Sequence, residues 1–342
     1  MKESQHGFLP GKSTDTALLN FYDFVTESID KGQIVDAVFF DYSKAFDSVP
    51  HPILLSRLED CGVKGNLLQW IQNFLTNRSQ SVKVGNTYSR WLPVPKGVIQ
   101  GSVLGPTLFN IFINNIDDSI SNCKILKYAD DVRIYLASEK KDSLLLQEKI
   151  QSDISSLVKW SATSGMNFNA KKCQCMSFGR SNSPKEYHID GIRIPASPFF
   201  TDLGVRVNTS LNFQPHIDAC VSKSFAKLGV INKVFKNKNS LTRLYKAFVR
   251  PLTEYSCVVW NPHTRKGINK AESVQKRMLP NVRLFPHYRD QLAFLGLMSM
   301  EARRLRYQLI TIYKMYKGMT SLKLEDFFDR NNLKKLEATA VL

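Results

Sequence analysis

The stretch CKILKYADDVRIYL (residues 123–136) reads as a β-hairpin: a strand over 123–128, a tight turn through Asp130 and Asp131, and a returning strand over 132–136. Its tip carries two adjacent carboxylates. Like charges so close resist joint ionisation unless a cation neutralises them. Taken alone, the pair fits a solvated turn better than a metal site, because Asp is a good turn former.

Upstream, IVDAVFF (residues 34–40) reads as a buried strand that delivers Asp41 at its end. An unpaired charge there would be costly, and pairing in one sheet could bring Asp41 beside the hairpin tip. Three converging carboxylates suit a hard, oxygen-seeking ion such as Mg²⁺. Two such ions can activate a 3′-hydroxyl and hold a departing pyrophosphate.

Around these elements the periodicity predicts helices over 14–31, 51–61, 66–77 and 142–164. Strands are expected as a pair at 81–84 and 91–94, then at 174–178, 187–189, 192–194 and 199–207. A glycine-rich turn over 97–106 leads into a helix containing Leu108, Ile111, Phe112 and Ile116, opened by Pro106. From about Phe213 the chain turns helical and basic, with Lys223, Lys227, Lys233, Arg243, Lys246 and Arg250 interleaved with aromatic residues. The end after Leu322 is charged and is expected to fray.

Forty-seven Lys and Arg against thirty Asp and Glu give 342 residues a formal charge of +17, which favours a polyanionic partner without proving one. Six scattered cysteines form no CxxC pair, so reduced intracellular thiols are expected, with Cys173 and Cys175 as core. The polar N-terminus lacks an apolar secretory segment, and no uncharged run is long enough to span a bilayer. A soluble, non-secreted protein of the nucleus or cytoplasm is the expectation.

The segments FFDYSKAFDSVPH (39–51), GVIQGSVLGP (97–106) and YADD (128–131) resemble, in the correct order, the A, B and C motifs of reverse transcriptases. QHGFLPGKST (5–14) resembles a fingers segment of LINE-type, non-LTR retrotransposon polymerases. GMNFNAKKC (165–173) resembles motif D, FTDLGV (200–205) the primer grip, and PLTEYSCVVWNP (251–262) the region after the polymerase core in Jockey-like elements. The resemblance implies an α+β right-hand fold. Residues 1–35 would be partial fingers, 36–207 an antiparallel-sheet palm with interleaved fingers segments, and 208–342 a helical basic thumb with a C-terminal extension.

By the same resemblance, Asp41, Asp130 and Asp131 would bind two Mg²⁺ ions, for which Mn²⁺ could substitute, with the Tyr42 backbone carbonyl as a further ligand. Phe46 would lie under the incoming sugar, and Gln100 and Gly101 would face the templating pair. Lys172 would protonate the departing pyrophosphate; Lys12 is weighed between a phosphate contact and a plain loop lysine. Asp47 is expected to cap the following turn. Partners would be an RNA template, a DNA primer and deoxynucleoside triphosphates, with no membrane; the oligomeric state is left open. Leu9 departs from the arginine of many relatives, and upstream fingers, endonuclease and RNase H regions are missing, so an N-terminally truncated element is expected. The competing reading is a catalytically inactive remnant that only binds nucleic acid. A viral RNA-dependent RNA polymerase is disfavoured by YADD and by Phe46.

Overall fold

A computed structural model describes residues 1–179, 185–235, 237–279 and 285–328. Residues 329–342, most of the end expected to fray, lie outside the described residues. The chain divides into two compact units, one of Met1–Ser13 and Phe24–Pro198, the other of Thr14–Asp23 and Phe199–Leu342.

In chain order, α1 (Thr14–Asp30), of which Thr14–Asp23 belong to the second unit, and β1 (Ile34–Phe40) are followed by α2 (Ala45–Ser48), α3 (His51–Asp60) and α4 (Gly65–Leu75). Four short strands come next: β2 (Ser79–Gln80), β3 (Lys83–Val84), β4 (Thr87–Tyr88) and β5 (Leu92–Pro93). Then α5 (Leu104–Ile113), β6 (Lys124–Tyr128), β7 (Asp131–Ser138), α6 (Ser143–Thr163) and β8 (Gln174–Phe178) complete the main body of the first unit. It ends with β9 (His188–Ile189) and β10 (Ile192–Arg193).

The central sheet has the order β6-β7-β1-β8, all neighbours antiparallel. Strand β1 is flanked on both edges and buried at every position, which explains its continuous apolar run. Its exception, Asp36, is fully buried and compensated by Lys185 Nζ at 2.8 Å and by the Tyr187 hydroxyl, which donates to it. Helix α6 contributes Leu146, Ile150, Ile154 and Leu157 to the core beside Leu108 and Phe112 of α5. From the same helix, buried Asp153 accepts the backbone N–H groups of Ser121, Asn122 and Cys123 at 3.2, 2.9 and 2.7 Å. Burial opposes its charge, but these bonds outweigh it and hold the carboxyl below its ordinary range. They anchor the approach to β6, and so the hairpin.

Two expectations change. The strand at 81–84 does not pair with 91–94: β3 pairs β4 across Gly85, while β2 pairs β5, giving nested hairpins. The run at 199–207 is not one strand but a hairpin, β11 (Phe199–Asp202) and β12 (Val205–Asn208). Leu203 and Gly204, both at positive φ (44° and 86°), form its two-residue loop, a geometry that matches strand twist.

The second unit continues with α7 (Gln214–Val234), α8 (Lys238–Leu244), α9 (Cys257–Trp260), α10 (Arg265–Met278), α11 (Tyr288–Phe294), α12 (Met300–Tyr316) and α13 (Leu324–Phe327). Helix α7 buries Ile217, Val221, Leu228 and Ile231 along one stripe and leaves Lys223, Lys227 and Lys233 exposed. Among the described residues, no helix is long and apolar enough to cross a membrane.

Candidate active site

Strand register sets the geometry. The last residue of β1, Phe40, lies opposite Val132 of β7, so one further step places Asp41 across from Asp131. At the far end of the hairpin Tyr128 pairs with Asp131, leaving Ala129 and Asp130 as a two-residue loop. Ala129 has φ 54°, a conformation that costs a non-glycine residue about 1–2 kcal/mol. Strain of this kind persists only where the surroundings hold it in place.

The Asp41 segment is held by the stretch resembling motif D. Its carbonyl accepts the Asn169 N–H at 2.8 Å, and its own N–H donates to Cys173 Sγ at 3.4 Å. Tyr42 bridges to Phe168 and stacks on that ring at 4.5 Å, with its side chain buried in the core. Burial pushes the Tyr42 phenol well above its ordinary pKa. Only the backbone of Tyr42 is thus of interest as a ligand.

A turn at Asn169 brings Lys172 Nζ to 3.8 Å from Asp41 Oδ2; the side chains are 69% and 41% exposed, so both reach solvent. That oxygen has no hydrogen-bond partner. Burial raises the pKa of Asp130, and the nearby charge of Asp41 raises it further. Among the described residues, no three His, Cys, Asp or Glu side chains are disposed to enclose a metal ion as they stand. The donor set still fits a hard divalent cation: the donors are all oxygen, one of them accepts no hydrogen bond, and Asp41 and Asp130 repel each other in a way a cation would relieve.

Phe46 is half-buried and lies face to face on Phe109 of α5, with ring centroids 4.4 Å apart and planes 12° from parallel. The glycine-rich segment is tied to it: Val98 N–H donates to Phe46 O at 2.8 Å, and Gly97 N–H to Val49 O at 2.7 Å. Gln100 Nε2 donates to Asp47 Oδ1 at 2.8 Å, so Asp47 links the two segments where a turn cap was expected. Gly101 has φ 82° with open space where a Cβ would stand. Lys12 donates to the Glu3 carbonyl, so its ammonium already has a partner.

Sequence reasoning missed two supports. Gly97 packs so closely on Asp47 that a Cβ would sit 2.8 Å from its backbone, at a φ of 92°. Gln5 reaches the hairpin loop, its Oε1 accepting the Ala129 N–H at 2.9 Å. The glycine-rich composition hinted at the first; nothing local announces the second.

The family model described as reverse transcriptase (RNA-dependent DNA polymerase) matches residues 1–231. The RNA-directed DNA polymerase from mobile element jockey of Drosophila funebris is 29% identical over 303 residues, covering 83% of this chain and 32% of that protein. Its Drosophila melanogaster counterpart is 26% identical over 299 residues, again with 83% and 32% covered. The probable RNA-directed DNA polymerase from transposon BS of Drosophila melanogaster is 23% identical, with 84% and 33% covered. The chain thus spans about a third of the length of these relatives. Apo telomerase from Candida tropicalis superposes with a TM-score of 0.48 at 13% identity, covering 92% of this chain and 55% of that one, a likeness too distant to assign anything. With the family model matching most of its length, and with jockey-type polymerases as relatives, the chain belongs to the reverse transcriptase (RNA-dependent DNA polymerase) family, in its non-LTR, Jockey-like branch.

Proposed function

We propose that this chain performs RNA-directed DNA synthesis, adding deoxynucleotides to the 3′-hydroxyl of a primer paired to an RNA template. The observation that carries the reading is the register that sets Asp41 across from Asp131, beside the loop bearing Asp130. Members of this family use divalent metal ions, and here Asp41, Asp130 and Asp131, with the Tyr42 carbonyl, would hold two Mg²⁺ or Mn²⁺ ions. Bound there, the ions would activate the 3′-hydroxyl and neutralise the pyrophosphate.

The chain's own residues do the rest. Phe46 presents a ring braced from behind by Phe109, a rigid wall beneath the sugar of the incoming deoxynucleoside triphosphate. Gln100, held by Asp47, and Gly101, open on its outer side, face the templating pair. Lys172, solvent-exposed and 3.8 Å from Asp41, supplies a proton to the leaving pyrophosphate. The exposed lysines of α7 hold the duplex by its phosphates.

The test is extension of a DNA primer on an RNA template by the purified chain, with and without Mg²⁺. Metal-dependent extension supports the proposal. A chain that binds duplex but extends nothing with either Mg²⁺ or Mn²⁺ is the inactive remnant instead.

A further inference from the structure

The residues Ser4 to His6 run along the outer edge of β6. His6 N–H donates to Lys127 O and Lys127 N–H to Ser4 O, both at 2.8 Å, and Gln5 forms a parallel bridge with Lys127. This places the Gln5 side chain, 1% exposed, beneath the carboxylate hairpin. Its Oε1 accepts two backbone N–H groups, from Gly7 at 2.8 Å and from Ala129 at 2.9 Å.

Ala129 is the strained first residue of the loop that presents Asp130, and it is itself buried. Without Gln5 its N–H would lose this acceptor in a place that water does not freely reach, and the loop would be drawn toward another conformation. Gly7 closes the arrangement. An added Cβ there would stand 2.5 Å from Ala129 N, and its carbonyl accepts Asn110 Nδ2 of α5 at 2.8 Å. A line of contacts therefore runs from buried Asn110 through Gly7 and Gln5 to the loop.

We propose that Gln5 is a positioning residue for the active-site carboxylates: its side-chain oxygen pins the Ala129 N–H and so sets where Asp130 and Asp131 stand. The inference rests on the function proposed above, but two of its readouts do not need turnover.

The experiment compares the full chain with Gln5→Met, Gln5→Glu and Gly7→Ala. Measured are Mn²⁺ binding by electron paramagnetic resonance, kcat and KM for a deoxynucleotide, duplex affinity, and thermal unfolding. Gln5→Met keeps the length and loses the acceptor, so Mn²⁺ affinity and kcat should each fall roughly tenfold or more, while KM and duplex affinity stay within about twofold. Gly7→Ala should do the same by pushing the loop. Gln5→Glu keeps an oxygen at the same reach but brings a carboxyl to a site only 1% exposed beside Asp130, so it should keep the Ala129 amide protected while lowering thermal stability. A folded Gln5→Met that binds Mn²⁺ and turns over as wild type overturns the proposal. Hydrogen exchange of the Ala129 amide in the wild type adds a reading free of substitution. Protection supports the pin, and exchange at the unprotected rate overturns it. An inactive wild type counts against the proposed function, while Mn²⁺ affinity and exchange still decide the role of Gln5.

Discussion

Replacing Phe46 by valine separates a wall that selects the sugar from a ring that merely fills space. The ring is stacked on Phe109 at 4.4 Å and is only half-buried, so its loss removes one aromatic pair and part of one apolar side chain. The pair is worth about 0.5–1.5 kcal/mol and the lost burial about 1 kcal/mol, giving a cost of about 2 kcal/mol. A domain stable by about 5–15 kcal/mol stays folded after such a loss. If the exposed face of the ring meets C2′ of the nucleotide, valine opens room for a 2′-hydroxyl. The preference for deoxynucleotides should then drop by roughly a hundredfold, which is about 2.7 kcal/mol of differential transition-state binding. The assay is the ratio of kcat/KM for a deoxynucleotide to that for its ribonucleotide, on one RNA template, with circular dichroism to check folding. An unchanged ratio in a folded, active variant refutes the reasoning; so does a parallel fall of both activities.

Reversing the charge of Lys223, Lys227 and Lys233, all exposed on α7, should flatten the plot of log affinity for RNA–DNA duplex against log salt, by roughly one unit of slope for each phosphate no longer neutralised. An unchanged slope removes α7 from the interface. Acid should destabilise both units through their buried histidines. Burial, aided by nearby cations, lowers His6 and His216 from an ordinary 6.5 to about 4. Because the folded pKa is depressed, their contribution is complete above pH 6.5 and lost as pH falls towards 4, by about 3 kcal/mol each. His216 Nδ1 accepts the Arg206 N–H at 3.1 Å, a bond that protonation breaks. Urea unfolding at pH 7 and pH 4.5 checks this, and a His216→Phe variant as acid-sensitive as wild type would count against it.

Where local pattern and tertiary demand agree, the sequence was legible. The apolar run of β1 matches a strand flanked on both sides, and residues 34–40 and 174–178 are strands to the residue. The hairpin tip was legible because two carboxylates and a tight turn coincide. The 199–207 run is misleading because its β-propensity hides a turn at Leu203–Gly204, and the 81–94 stretch because Gly85 turns the chain within it. Sequence periodicity has no means of showing Gln5 beneath a loop 124 residues away, or Asp153 capturing three N–H groups from another segment. Nor does it show Lys185 reaching Asp36. Each depends on chain reversals that bring distant residues together. The carboxylates could be named from local sequence, while the groups that hold them in place could not.

The proposed joint retention of metal ions by Asp41, Asp130 and Asp131 is tested most directly by single-turnover extension of a DNA primer on an RNA template in Mg²⁺, comparing wild type with Asp130→Asn at matched duplex occupancy. The substitution keeps shape and hydrogen-bonding capacity while removing the charge. Wild type should extend, and the variant should bind duplex equally well but extend at least roughly a thousandfold more slowly. A folded Asp130→Asn chain that extends at the wild-type rate would contradict the metal-site assignment.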